Sequence, residues 1–123
     1  MTLETRIEWF DDGQKSAEVT YCDGHQHGPA RDWFGNGQLM FEGMYYEGKR
    51  HGTFSEYYDN GQLRSRGNFV DDKQHGRWRI WWPNGQCADE SVFHCGNQQG
   101  YGRQWSQDGT ETTPADAENV GTH

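Results

Sequence analysis

The chain has 123 residues, the length of one ordinary domain, and it is acidic, with 19 Asp and Glu against 11 Lys and Arg. A net charge of −8 argues against generic binding to nucleic acid and against attraction to anionic lipid, because both need positive charge, and it favours a basic protein partner. Only 31% of the residues are hydrophobic, yet there are six Trp, six Tyr and six Phe. We therefore expect a thin structure whose core is a row of aromatic rings.

The first nine residues are polar and contain acids, with no basic segment followed by an apolar run, so we expect no signal peptide. No apolar stretch approaches the roughly 20 residues that a membrane helix needs. Three cysteines, Cys22, Cys87 and Cys95, form no CxxC motif and cannot all pair, which is typical of reduced thiols. These features predict a cytoplasmic protein.

Along the chain, a turn dipeptide recurs with a period of 24 residues. It begins at Asp12, Asn36, Asn60, Asn84 and Asp108. A second marker, His-Gly, begins at His27, His51 and His75, and Gln99 takes the fourth place. A fixed period in this range indicates a repeat array. We expect about four and a half units over residues 1–111 and a flexible C-terminal tail over 112–123, where the pattern is lost.

Each repeat is predicted to be a β-hairpin. Asn-Gly and Asp-Gly supply the positive φ at both central residues of a two-residue type I′ turn, and the flanks are rich in aromatic and β-branched residues. Residues 48–52, with their equivalents 24–28, 72–76 and 96–100, are expected to be the loop that joins one hairpin to the next. The sequence thus predicts an all-β fold of ten short antiparallel strands without helices.

A two-residue loop would fix the register and the two faces of the sheet. It places Phe34 opposite Leu39, and Ala30 opposite Gly43, on a packed face. The same rule gives the further pairs Asp32–Phe41, Phe54–Gly67, Tyr58–Leu63, Trp78–Ser91 and Trp82–Cys87. Large rings beside small residues are what a packed face needs.

The other face carries a stripe of large rings, Trp33, Tyr57, Trp81 and Trp105, beside the opposed pairs Arg31–Glu42 and Arg79–Glu90. Trp, Tyr and Arg are enriched at binding hot spots, so this stripe, with Glu42 and Glu90, is the candidate partner-binding site. The alternative is that the rings only cover the sheet and stack along it.

No residue set points to catalysis, a cofactor or a metal. Column-mates His27, His51 and His75 would lie two strands apart, about 9–10 Å, too far to share one ion, so each is expected to hydrogen-bond in its own loop. His25 and His27 could supply two ligands, but no others converge there. No nucleophile, zinc or phosphate-loop motif occurs, and we expect a protein that is not an enzyme.

Residues 41–52, FEGMYYEGKRHG, followed by Tyr57-Tyr58 and Asn60-Gly61, resemble the MORN repeat in its bacterial variant form. The resemblance covers about residues 5–110, and it departs from the pattern at Gln99 and where Val19 and Ser91 replace a repeat glycine. It implies an extended single-layer antiparallel sheet. Known members act in protein and membrane scaffolding, and the bacterial variant is similar to antitoxin or immunity proteins.

The resemblance leads to a specific functional hypothesis. We expect an immunity protein or antitoxin that binds a basic protein toxin and silences it by covering its active surface. The alternative is a MORN-type scaffold or membrane-associated interaction module, although the acidic balance argues against lipid binding.

Overall fold

A computed structural model describes residues 2–100 and 102–112. In this part of the chain the regular elements are β1 (Leu3–Trp9), β2 (Lys15–Cys22), β3 (His25–Trp33), β4 (Leu39–Tyr46), β5 (Lys49–Arg50), β6 (Gly52–Tyr57), β7 (Leu63–Val70), β8 (Lys73–Trp81), β9 (Cys87–His94), β10 (Asn97–Gln98) and β11 (Arg103–Gln104). Among these residues no helix is long and apolar enough to cross a membrane. Apart from Thr112, the predicted tail lies outside the described residues.

The strands form one open sheet in which neighbours in sequence are neighbours in space. Its order is β1-β2-β3-β4-β6-β7-β8-β9-β10, with β5 also on β4 and β11 also on β9. The paired strands are antiparallel. The prediction of an all-β sheet of consecutive hairpins is confirmed. The described strands number eleven rather than ten, because two strands equivalent to β3 are each divided, into β5 with β6 and β10 with β11, while the last predicted strand contributes only the isolated bridge at Glu111.

The Asn-Gly turn is not the two-residue turn that we expected. Gly37 N–H donates to the carbonyl of Phe34 at 3.0 Å, and Phe34 N–H donates to the carbonyl of Gln38 at 2.8 Å. Gly37 has a φ of 88°, and Asn36 is not among the residues with positive φ. This is a three-residue loop, a type I turn closed by a left-handed glycine. Asn36 stabilises the turn with its side chain, because its Oδ1 accepts the Gln38 N–H at 2.9 Å.

The longer loop shifts the register at the hairpin end, and a bulge shifts it back. Trp33 pairs with Leu39, whereas Asp32 pairs with Phe41, so Met40 is the extra residue. The predicted pairs beyond the bulge are confirmed, namely Ala30–Gly43, Asp32–Phe41, Phe54–Gly67 and Trp78–Ser91. The predicted pairs before the bulge are wrong: Phe34–Leu39, Tyr58–Leu63 and Trp82–Cys87 are replaced by Trp33–Leu39, Tyr57–Leu63 and Trp81–Cys87.

Type I′ geometry occurs at the opposite end of the strands. Glu47 and Gly48 have φ values of 48° and 85°, and they connect Tyr46 directly to its partner Lys49. The loop predicted over 48–52 is therefore wrong, since its middle is strand β5. The His-Gly marker forms a bulge instead: Gly52 has a φ of 106°, and His51 N–H donates to the carbonyl of Met44 at 3.0 Å.

The core is a row of rings on the packed face. Phe54, only 6% exposed, has its ring centroid 5.5 Å from that of Phe41 and 4.9 Å from that of Phe69. Phe69 in turn lies 5.0 Å from Trp78. These edge-on contacts are a preferred geometry for aromatic pairs. The small residues of the repeat make room for the rings, because a Cβ on Gly43 would lie 2.6 Å from the ring of Phe54.

Side chains at the turns connect each hairpin to the next. Asn36, Asn60 and Asn84 donate from Nδ2 to carbonyls 23 residues further on. Tyr58 donates its hydroxyl to the carbonyl of Trp81 at 2.6 Å, and Trp82 donates its indole N–H to the carbonyl of Trp105 at 2.9 Å. Tyr58 and Trp82 therefore contribute as links at the turns, one residue beyond the strand ends, and not as members of the predicted packed pairs.

Candidate partner-binding surface

The predicted stripe lies along one face of the sheet, opposite the packed rings. Trp33, Tyr57 and Trp81 are the last residues of β3, β6 and β8, and Trp105 forms an isolated bridge with Glu111. Strand alternation places the first three on the side of Arg31, Ser55 and Arg79. We call this side the second face and the four rings the ring stripe. All four rings are half-buried.

The corrected register adds three residues to the ring stripe that the sequence analysis assigned to the packed face. Leu39, Leu63 and Cys87 pair with Trp33, Tyr57 and Trp81 respectively. They extend the stripe as an apolar band, and in the described part of the chain the ring–ring contacts do not join two stripe rings. The signal that could have found them is the glycine after Asn, which also suits a three-residue loop.

Exposed apolar side chains also occur on the second face, on the far side of Glu42 and Glu90 from the ring stripe. By strand alternation, Met44 and Val92 lie on the second face, and each is 45% exposed. Val70 and Tyr46 extend this apolar surface toward the type I′ turns. The second face therefore has two exposed apolar regions with charged side chains between them, and exposed apolar patches of this kind are typical of interaction sites.

The charged pairs predicted for this face are present. Arg31 Nε lies 2.6 Å from Glu42 Oε2, and Arg79 Nε lies 2.9 Å from Glu90 Oε2. Both pairs are partly exposed, so each contributes at most about 1 kcal/mol to stability. Since Glu42 and Glu90 are already paired within the chain, they offer less free negative charge to a partner than two unpaired carboxylates would.

These pairs belong to a row that crosses the sheet on the second face. Backbone pairing aligns its members from strand to strand, in the order Glu18, Arg31, Glu42, Ser55, Arg66, Arg79, Glu90 and Arg103. We call it the charged row. Its centre differs from its flanks, because Arg66 hydrogen-bonds through Nε to Ser55 Oγ at 3.0 Å instead of facing an acid.

In the repeated His column, His27 and His75 contact the next turn rather than their own loop. His27 Nδ1 accepts the N–H of Glu47 at 3.2 Å, and His75 Nδ1 accepts the N–H of Cys95 at 3.4 Å. Each His thus bonds to the backbone of the type I′ turn that follows the adjacent strand. The expectation of a bond inside its own loop is corrected accordingly.

The structure also brings together a group of potential metal ligands that the sequence analysis missed. One ligand atom each from His75, His94 and Cys95 lies within 4.8 Å of the others, and His94 and Cys95 are exposed. Imidazole and thiolate are ligand types that zinc takes, and three protein ligands leave one position open. The signal was the pairing of β8 with β9, which carries His75 to the turn at Cys95. The absence of a metal in the protein stays a prediction.

The thiols on the sheet do not have the features of nucleophiles. Burial raises the pKa of the Cys87 thiol, and burial also raises that of Cys22, with the neighbouring charge of Asp23 adding to the effect. A raised pKa keeps a thiol protonated at neutral pH and lowers its reactivity.

Comparison with protein families places these hairpins in a known group. A family model described as MORN repeat variant matches residues 26–47, 50–71 and 74–93, together just over half of the chain. No curated protein matches the chain. The matched stretches contain the His-Gly bulges and the three-residue Asn-Gly turns of the central hairpins.

Proposed function

The chain belongs to the MORN repeat variant family, and from that premise we propose that it is a non-catalytic binding protein that docks a protein partner on its second face. The observation that carries the proposal is the ring stripe, extended by Leu39 and Leu63. In the part of the chain that the structure describes, the single sheet has no second layer to cover this apolar band. Half-buried Trp and Tyr residues are preorganised by their strands and still offer surface, as hot-spot residues do.

The specific role that we propose is that of an immunity protein or antitoxin, acting in the cytoplasm on a toxin. The ring stripe would cover the toxin's working surface and block access of its substrate, so that no chemistry is required of this chain. The net charge of −8 supports a basic toxin, because opposite net charges accelerate encounter. The dependence of the association rate on salt would be correspondingly steep.

A scaffold role is the second candidate, and one observation favours it. Within the described residues β1 pairs only with β2, so its other edge is open. Leu3 and Trp9 on this strand are 64% and 58% exposed. An open edge is a template for pairing with another chain, which would allow arrays to join end to end. Sedimentation that shows association dependent on β1 would support this role.

The test of the partner-binding role is a double substitution, Tyr57→Ala with Trp81→Ala. The protein would be expressed with the product of a toxin-like reading frame encoded beside it, and protection of cell growth would be scored. We expect protection to be lost while the circular dichroism spectrum is retained, because neither ring belongs to the packed row. The backbone carbonyl of Trp81 that accepts from Tyr58 is also unaffected.

The matched control removes the neighbouring rings, Tyr58→Ala with Trp82→Ala. These side chains hold consecutive hairpins together, so their loss should lower the melting temperature and impair protection through unfolding. If the first double variant remains folded and still protects cells, the binding surface lies elsewhere on the molecule. If no toxin is neutralised by the unaltered protein, the scaffold role takes precedence.

A further inference from the structure

The third repeat carries a basic side chain where the other repeats carry an acid. Glu occupies positions 18, 42 and 90, and the equivalent residue in the third repeat is Arg66. Across the hairpin, the partner of Arg66 is Ser55, whereas the equivalent positions in the second and fourth repeats hold the basic residues Arg31 and Arg79. The inversion places Arg66 directly opposite Arg79 in the β7–β8 pairing. Like charges opposite each other in a sheet are destabilising, so this pair opposes folding.

Nothing in the described part of the chain neutralises Arg66. Its Nε donates to Ser55 Oγ at 3.0 Å and one Nη lies 3.5 Å from the Tyr57 hydroxyl, and it takes part in none of the ion pairs among these residues. Arg79 uses its Nε on Glu90. A guanidinium has five N–H donors, so both side chains retain donors at their Nη ends.

Both arginines line a depression on the second face. It has a volume of about 340 Å³, and Arg66, Arg77 and Arg79 line it together with Leu63 and Trp81. Arg77 belongs to none of the ion pairs of the described residues.

The remaining polar lining also favours donation to an anion. Asn68 lies in the wall, and its Oδ1 accepts the hydroxyl of Thr53 at 3.0 Å. The amide nitrogen of Asn68 is therefore free of that bond and can donate. Three guanidinium groups and one amide thus form a donor-rich site in a chain with a net charge of −8.

We propose that this depression binds the carboxylate of an acidic side chain on the protein partner, an inference that rests on the proposed function of the second face. Guanidinium and carboxylate match in shape and form two parallel hydrogen bonds. Leu63 and Trp81 provide an apolar wall for the methylene groups of the acidic side chain. The net charge of the chain opposes a polyanion such as nucleic acid, whereas a single carboxylate brings one charge to a locally positive site.

The probe for the site is a capped hexapeptide of sequence SLEELS, compared with SLQQLS and with sodium phosphate at matched ionic strength. Binding would be followed by NMR at the indole N–H of Trp81 and at the Nε–H groups of Arg66 and Arg79. We expect saturable shifts with SLEELS at millimolar concentration and none with SLQQLS. Equal shifts with both peptides would overturn the proposal, and stronger binding of phosphate than of SLEELS would replace carboxylate by phosphate as the ligand. Absence of any saturable shift would also overturn it.

Arg66→Glu restores the acid of the other repeats and separates binding from folding. We expect it to weaken SLEELS binding at least about tenfold, because it removes a charge-assisted donor. The melting temperature should rise by about 1–5 °C, because a like-charge pair becomes an opposite-charge pair. A lowered melting temperature would show that Arg66 is a structural residue and overturn the proposal.

The control is Arg64→Glu, which makes the same charge change on the same strand. Arg64 is exposed and does not line the depression, so SLEELS binding should be retained. Equal weakening by both variants would mean that net charge, and not the site, attracts the peptide. Because the titration needs no natural partner, its failure is distinct from a failure of the Tyr57 and Trp81 test.

Discussion

Gly43 lies against the ring of Phe54, and its replacement by alanine should destabilise the sheet through overlap of side chains. A Cβ at this position would lie 2.6 Å from a carbon of the ring, and Gly43 is not among the glycines with positive φ, so the backbone itself would accept alanine. The ring has little room to move, because Phe54 is 6% exposed and packs between Phe41 and Phe69. Overpacking of this kind costs about 1–3 kcal/mol and should lower the melting temperature by about 3–15 °C.

Gly35 in the same hairpin provides the matched control. No atom lies within 4 Å of a Cβ built on it, and it too is not among the glycines with positive φ. Gly35→Ala should therefore be neutral or stabilise by about 0.4–1 kcal/mol. Adding Phe54→Leu to Gly43→Ala should cost less than the two single changes together, because the overlap disappears. Equal melting temperatures for Gly35→Ala and Gly43→Ala, measured by circular dichroism, would refute the packing argument.

Two further outcomes concern the turn and the packed face. Asn60→Asp keeps the oxygen that caps its own turn but loses the Nδ2 donor to the carbonyl of Pro83. Thermal melts should therefore show that the free energy of unfolding falls by about 0.5–1.5 kcal/mol. An unchanged melting temperature would mean that this hydrogen bond does not stabilise the protein in solution. Burial, and then the charge of Glu8, raise the pKa of Asp32. Because the folded pKa lies above the unfolded one, the ionised carboxylate destabilises the protein at neutral pH, and this effect disappears as pH falls through the folded pKa. Asp32→Asn should raise the melting temperature at pH 7 and give no advantage below about pH 4, whereas a gain that is independent of pH would exclude ionisation as its cause.

The period and the ring row could be predicted because they depend on patterns that repeat many times. Each unit places a large ring beside a small residue at the same spacing, and the pairs Phe54–Gly67 and Trp78–Ser91 follow from that pattern. The turn type could not be predicted in the same way. Asn-Gly suits both a two-residue type I′ loop and a three-residue loop. The three-residue loop is favoured by hydrogen bonds to residues outside the dipeptide. One is the bond from Asn60 to Pro83 in the next hairpin.

The candidate site shows how one residue of register alters a surface. The rings Trp33, Tyr57 and Trp81 lie on the face that the pattern indicated, but their cross-strand neighbours were assigned to the wrong face. A shift of one residue moves a side chain to the opposite side of a sheet, so Leu63 passes from the packed face to the stripe. The charge of Arg66 is visible in the sequence, but its position opposite Arg79 depends on the pairing of two different hairpins.

The choice between Asn and Asp at the turns connects stability with the binding surface. Asn60 and its equivalents both cap their own turn and bond to the next hairpin, whereas Asp12 and Asp108 cap the turn through Oδ1 but have no N–H to donate. At Asp108, in the last turn, the missing side-chain N–H has no consequence, because the described sheet ends there. At Asp12 the missing N–H leaves the first hairpin without this hydrogen bond to the second hairpin. The central hairpins are therefore held most firmly to one another, and they present Tyr57, Trp81 and the arginine-lined depression on a surface that is ordered before a partner arrives. Preorganised rings lose little entropy on binding, which is the physical reason why the middle of this sheet suits recognition better than its ends.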